Sequence, residues 1–224
     1  MEVRELSIAG AWEFTPRQHP DDRGVFLEWF KAEIFEKTVG HPFELAQANI
    51  SVSRAGSIRA IHYALVPPGQ AKWVTCPTGA LRDFVIDIRV GSPTFGQYES
   101  AVLDPENRKC LYISEGLGHG FAALEDNTTL AYLCSTPYNP EREHTVSPLD
   151  PTLGIDWGVD TPLMSERDMN APSLAEAEKA GLLPSWDECQ DWVAGLRRKA
   201  GSLGRGPGPT LRSGRVGAPG RQER

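Results

Sequence analysis

The stretch Arg82-Asp83-Phe84-Val85-Ile86-Asp87-Ile88-Arg89-Val90 decides the fold class. Phe84, Ile86 and Ile88 recur at period two, which places them on one face of an extended strand. Gly91-Ser92-Pro93 then stops the run. Similar short apolar segments cover residues 57–63, 71–76, 98–103, 109–113, 120–124 and 129–135, separated by Gly, Pro and Asp. Within residues 5–160 only 32–39 reads as a short helix. Seven or more short strands at this spacing predict an all-β chain, a sandwich, jelly roll or barrel.

Beyond that region the pattern changes. Ser173-Leu174-Ala175-Glu176 has the form of a capping box and predicts a helix ending near Gly181. Ser185-Trp186-Asp187-Glu188 repeats the form and predicts a second helix to about Lys199, with Trp192, Val193 and Leu196 on its apolar side. Residues 201–224 hold seven Gly and three Pro and have little to bury, which predicts a flexible basic tail. The expected organisation is a β domain over 1–184, a helix over 185–200 and the tail over 201–224.

The 224 residues suffice for one large domain, and 40% apolar with 24% charged residues is ordinary for a globular chain. The net charge of −7 conceals an acidic body and a basic end. Residues 1–194 carry 15 Lys+Arg against 29 Asp+Glu, and residues 195–224 carry 8 against one. An acidic body argues against nucleic acid or an anionic membrane as partner. Cys76, Cys110, Cys134 and Cys189 stand 34, 24 and 55 residues apart, which is neither a zinc spacing nor a disulfide framework. No apolar run approaches the roughly 18 residues of a membrane span, and the first residues lack the layout of a secretion signal. The expected location is the cytoplasm.

Several segments carry chemistry-bearing side chains. In Ile58-Arg59-Ala60-Ile61-His62-Tyr63, strand parity puts Arg59 and His62 on opposite faces unless a bulge intervenes. A histidine among apolar neighbours is most often a packed core residue. Lys72 follows the turn Pro67-Pro68-Gly69, and His119 lies among glycines in Glu115-Gly116-Leu117-Gly118-His119-Gly120-Phe121. Tyr132 and Tyr138, six residues apart, would share one side of a regular strand. Asp168 ends the polar run Ser165-Glu166-Arg167-Asp168. Such a set suits proton transfer beside a carbonyl: a neutral His takes the proton, a carboxylate orients it, a cation holds the enolate oxygen and a phenol returns the proton. Neither His62 nor His119 has a second histidine at metal-ligand spacing, so no metal site is expected.

Taken together, the segments resemble the dTDP-4-dehydrorhamnose 3,5-epimerases, cupins of deoxysugar biosynthesis. The matching motifs are Asp22-Arg23-Gly24-Val25-Phe26, Gln47-Ala48-Asn49, Arg59-Ala60-Ile61-His62-Tyr63, Ala71-Lys72, Gly91-Ser92-Pro93-Thr94-Phe95-Gly96-Gln97, Glu115 to Phe121 and Ser165-Glu166-Arg167-Asp168. They run in family order over roughly residues 3–184. The resemblance implies a jelly-roll homodimer without metal or cofactor, acting on a dTDP-4-keto-6-deoxyhexose and inverting C3, C5 or both. It implies His62 as base, Asp168 as its orienting partner, Lys72 as the enolate-stabilising cation and Tyr132 as the acid on the opposite face. It implies that Arg23, Glu28, Gln47, Asn49, Arg59, His119, Glu143 and Arg167 hold the nucleotide-sugar and that Tyr138 stacks on thymine. The sequence departs from the family pattern at Ala48, Ile50, Ala60 and Arg167. It looks closest to members serving natural-product sugar pathways. Two other functions fit the same residues: a cupin ketoisomerase moving the carbonyl between C4 and C3, and a catalytically silent sugar-nucleotide-binding module.

Overall fold

The computed structural model describes residues 1–203. The chain runs β1 (Glu2–Glu5), β2 (Ala11–Thr15), β3 (Gln18–Asp21), β4 (Gly24–Leu27), α1 (Ala32–Val39), β5 (Gln47–Ser53), β6 (Ile58–Ala64) and β7 (Lys72–Thr78). It continues with β8 (Leu81–Ile86), β9 (Tyr98–Leu103), β10 (Cys110–Ile113), β11 (Gly118–Ala123), β12 (Thr128–Cys134) and β13 (Glu143–Thr145). Three helices follow, α2 (Glu166–Met169), α3 (Leu174–Lys179) and α4 (Trp186–Leu203).

Two antiparallel sheets form a jelly roll, one in the order β1-β2-β10-β7-β12-β5 and the other in the order β13-β6-β11-β8-β9. The hairpin β3–β4 stands apart as a two-stranded ribbon. The fold is the expected all-β cupin with short C-terminal helices. Six of the strands expected from periodicity lie within a few residues of those observed, and 98–103 and 32–39 coincide with β9 and α1. The strand read from Arg82 keeps its regular ladder only to Ile86, because Asp87 turns to exchange hydrogen bonds with Gly96 and Gln97.

Alternation along β8 separates the two cores. Phe84 and Ile86, with Ile88 beyond the strand, join Trp157, Leu174 and Leu183, which cover the outer face of the five-stranded sheet. Leu81 and Val85 point the other way and pack between the sheets with Val74, Leu111, Phe121 and Leu130. A third cluster lies under α1, where Phe35 meets Trp73 and Tyr112 at ring-centroid separations of 6.0 and 4.9 Å. With both faces of the central strands covered, β11 is buried throughout and β8 at every position but Arg82.

The capping box at Ser173 is formed: its hydroxyl accepts from Glu176 N–H, and the Glu176 side chain reaches back to the Ser173 N–H. Such a cap is worth about 1 kcal/mol. Helix α4 begins at Trp186 as expected and runs past Lys199 to Leu203. It is anchored by a bridge between Val90 and Ser185, by the Arg89 guanidinium 4.5 Å from the Trp186 ring, and by Cys189 buried against Gly116. The tail expected over 201–224 lies outside the described residues from residue 204 onward. All four cysteines are free and buried.

One irregularity positions the site. His119 pairs with His62 and Phe121 with Arg59, so two steps along β11 match three along β6. This bulge gives β6 one extra residue and turns Arg59 and His62 to the same side. Opposite the bulge stands Gly120, where a Cβ would fall onto the Ala60 side chain and within 2.9 Å of its Cα. We expect Gly120→Ala to lower stability by about 1–3 kcal/mol through overpacking and to reduce turnover more than stability, because the β6 segment carrying His62 must shift. Thermal unfolding measured beside activity checks this, with Gly195→Ala as control, where only the end of the Arg198 side chain lies within 4 Å.

Candidate active site

His62, Arg59, Lys72, His119 and Tyr132 converge on one cavity of about 190 Å³, completed by Ser51, Phe121 and Leu130. A neighbouring cleft of about 500 Å³ shares Arg59 and His62 and adds Ser57, Leu163, Met164, Arg167 and Asp168. His62 therefore stands where an inner chamber meets an outer groove. The outer groove carries two arginines in a chain whose body is acidic.

The His62 Nε2 is 2.8 Å from Asp168 Oδ1. The Asp168 side chain is 4% exposed and that of His62 37%. Asp168 is fixed by α2, whose N-cap Ser165 accepts a hydrogen bond from the Asp168 N–H at 3.1 Å. With a carboxylate holding Nε2–H, the basic lone pair of the neutral ring is on Nδ1.

Lys72 begins β7 and pairs in register with Cys134 of β12 and Ile113 of β10. Among the described residues no carboxylate lies within 4 Å of its ammonium. Burial pushes its pKa below the ordinary lysine value, and the more distant Cys134, Glu143 and Asp83 oppose that shift. Tyr132 sits on the inward face of β12 with Leu130 and Cys134. Burial raises its phenol above the usual value, helped by Cys134 and Glu143 and opposed by Arg59.

Asp83 was not among the residues singled out in the sequence. It is fully buried, and its two oxygens lie 3.0 and 2.9 Å from His119 Nε2. Burial raises its pKa, while His119 and Lys72 pull the other way. The available signal was parity: Asp83 alternates with the apolar face of the strand and so points between the sheets. Ser51 and Ser53 were missed as well, and the latter's hydroxyl accepts from Arg59 Nε at 3.2 Å.

The remaining expected residues are distributed around this centre. Gln47 and Asn49 lie on the inward face of β5, joined by a 2.8 Å hydrogen bond, with Asn49 in register with Tyr132. Tyr138 follows the end of β12 in an exposed loop, its N–H donating to Gln47 Oε1, so strand parity with Tyr132 does not apply to it. Arg167 donates to the Glu143 carbonyl. The Glu143 carboxylate accepts from Gln70 and from the Asn139 N–H beside a separate hollow of about 170 Å³. Arg23 and Glu28 are not brought to the cavity within this chain. Arg23 is on the exposed β3–β4 turn, paired with Asp21, and Glu28 pairs with Lys31. Among the described residues no group of three or more His, Cys, Asp or Glu is placed to hold a metal ion.

The chain matches known proteins in sequence and in fold. Residues 5–176 match the family model described as dTDP-4-dehydrorhamnose 3,5-epimerase. The enzyme of that name from Mycolicibacterium smegmatis is 57% identical over 199 residues, covering 88% of this chain and 98% of its own. The crystal structure of NovW, a 4-keto-6-deoxy sugar epimerase from the novobiocin cluster of Streptomyces spheroides, is 55% identical with a TM-score of 0.84, covering 85% and 96% of the two chains. ChmJ, a 3′-monoepimerase from Streptomyces bikiniensis solved with dTDP-quinovose, is 50% identical with a TM-score of 0.84, covering 86% and 98%. With residues 5–176 matched by the family model and the fold shared with solved epimerases, the chain belongs to the dTDP-4-dehydrorhamnose 3,5-epimerase family.

Proposed function

We propose that His62 and Tyr132 invert a carbon α to the C4 ketone of a dTDP-4-keto-6-deoxyhexose from opposite faces of the sugar. The chain is a dTDP-sugar epimerase of deoxysugar biosynthesis. The observation carrying the residue assignment is that His62 comes from one sheet and Tyr132 from the other, with one cavity between them.

In this reading the His62 Nδ1 removes the proton at C3 or C5, and Asp168 holds the resulting imidazolium. The C–H electron pair moves into the ring as an enolate at O4, which the Lys72 ammonium stabilises by a charge-assisted hydrogen bond. Tyr132 then delivers its phenolic proton to the other face, which inverts the centre. C3 and C5 are both α to the ketone, so one acid–base pair serves either. Arg59 and Arg167 suit the diphosphate, and Gln47, Asn49, His119, Glu143 and Tyr138 hold the sugar and thymidine. The His119–Asp83 pair shares a sheet with His62 and fixes the chamber wall beside Lys72.

Purified protein in deuterium oxide with dTDP-4-keto-6-deoxyglucose should incorporate label at C3, C5 or both, resolved by NMR. No label at either carbon sinks the epimerase reading, and a 3-keto product would favour a ketoisomerase. His62→Ala should lower exchange by about 10²- to 10⁴-fold. Tyr132→Phe should retain exchange while losing inversion. A silent binding module predicts no change in either variant.

The pH profile follows from burial. The Lys72 ammonium, already below its ordinary value of 10.5, loses its proton as pH rises, so turnover falls on an alkaline limb below that value. Tyr132, displaced upward, stays protonated through the same range. Lys72→Arg should move the limb to higher pH, and an unmoved limb would remove Lys72 from that role.

The proposal includes a cytoplasmic homodimer. Its support is an exposed apolar surface, Val25 and Phe26 on the hairpin and Ile50 and Val52 on the outward face of β5, together with Arg23 and Glu28 standing away from their own chain's cavity. In a dimer these two residues are available to the partner's site. Light scattering should give twice the chain mass, and Phe26→Asp should shift it toward monomer and weaken dTDP binding. A monomeric mass with full activity would overturn the dimer.

A further inference from the structure

A second polar chamber, of about 210 Å³, lies between α4 and the strands β1, β2 and β10. It shares no residue with the two active-site cavities. Three side chains give it character. Tyr112 is 1% exposed, and its hydroxyl has no hydrogen-bond partner among the described residues. The groups that act on that hydroxyl are the buried Glu115 carboxylate, which is not on the chamber wall, and Ser114 and Arg197, which are. A buried hydroxyl left without a partner is rare in folded proteins.

Arg89 is also 1% exposed. Its Nε and Nη2 are bound to Asp87 at 2.8 and 2.7 Å, Nη2 also reaches the Ala9 carbonyl, and Trp186 covers one face. Nη1 is left over and faces Gly10, where a Cβ would lie 3.8 Å from it. Arg197 donates its Nε to the Val39 carbonyl, which leaves both terminal nitrogens. Glu5 is the one carboxylate on the wall. It lies on the exposed strand β1 and forms no ion pair with either arginine. Two arginines thus face one unpaired carboxylate on the wall, and a guanidinium with free N–H groups is built to bind oxyanions.

We infer that this chamber binds a small oxyanion, a carboxylate or a phosphate, held by the Tyr112 hydroxyl, Arg89 Nη1 and the Arg197 guanidinium. The occupant joins α4 to the jelly roll at a place where the protein leaves donors unanswered. It is independent of the epimerase chemistry. A ligand that binds only the folded state also raises thermal stability by mass action.

The test uses the full chain saturated with dTDP, so that the substrate cleft is filled. Inorganic phosphate and malonate are titrated separately, followed by calorimetry and thermal unfolding. Saturable binding with a raised midpoint is expected for at least one, and the stronger of the two identifies the ligand class. Tyr112→Phe and Arg197→Gln should each weaken that binding by about 10- to 100-fold while epimerisation turnover is unchanged. Arg197 is exposed on α4, so Arg197→Gln remains informative if Tyr112→Phe fails to fold. No saturable binding of either probe, or equal affinity in wild type and Arg197→Gln, overturns the inference and leaves a chamber filled by water.

Discussion

The site depends on one extra residue in β6. A regular strand sends residues three apart to opposite faces, and Arg59 and His62 would then never share a cavity. The bulge against β11 cancels that parity. It survives because both flanking residues fit: Ala60 is small and fully buried, and Gly120 across from it has no side chain. The inner wall of the chamber thus rests on a backbone defect held in place by close packing. The Ala60 side chain is accommodated by the glycine facing it.

A second constraint is electrostatic. The jelly roll holds Lys72 on one sheet and Asp83 on the other, both directed between the two, without pairing them directly. Asp83 spends its hydrogen bonds on His119. Among the described residues the ammonium therefore lines the chamber without a carboxylate beside it, which suits the enolate-stabilising role proposed for it. A direct ion pair would hold Lys72 charged more firmly and would answer that charge before substrate arrived. The fold accepts a lysine displaced downward by burial in exchange for a cation free to act.

Most of the architecture was legible because its signals are local. Period-two alternation at residues 98–103 and the capping box at Ser173 need no distant partner, and both appear where expected. The strands β1, β2, β5 and β13 and the hairpin β3–β4 gave weaker signals, since they are short or carry polar residues such as those of Gln47–Ser53 on their inward face. Asp168 was identified by resemblance and not by its neighbours. Its pairing with His62 spans 106 positions and depends on α2, a four-residue helix that its sequence hardly announces. Parity misled at Tyr138 because the strand ends before it. Asp83 is readable from the same alternation that fixes β8, since it falls on the face opposite Phe84 and Ile86.

Stereochemistry follows from where the two sheets stand. In the proposed mechanism the base on β6 and the acid on β12 approach the sugar ring from opposite sheets, so a single deprotonation and reprotonation inverts the carbon instead of restoring it. That arrangement is indifferent to which α carbon is presented, and relatives with nearly the same fold include a 3′-monoepimerase. The choice between C3 and C5 therefore lies outside the acid–base pair. On the proposed mechanism it belongs to the walls that bound the sugar, and those walls include Ser51, Phe121 and Leu130 in the chamber and Leu163 and Met164 in the groove. Substitutions among these five should redistribute exchange between the two carbons, while His62, Tyr132 and Lys72 remain common to both.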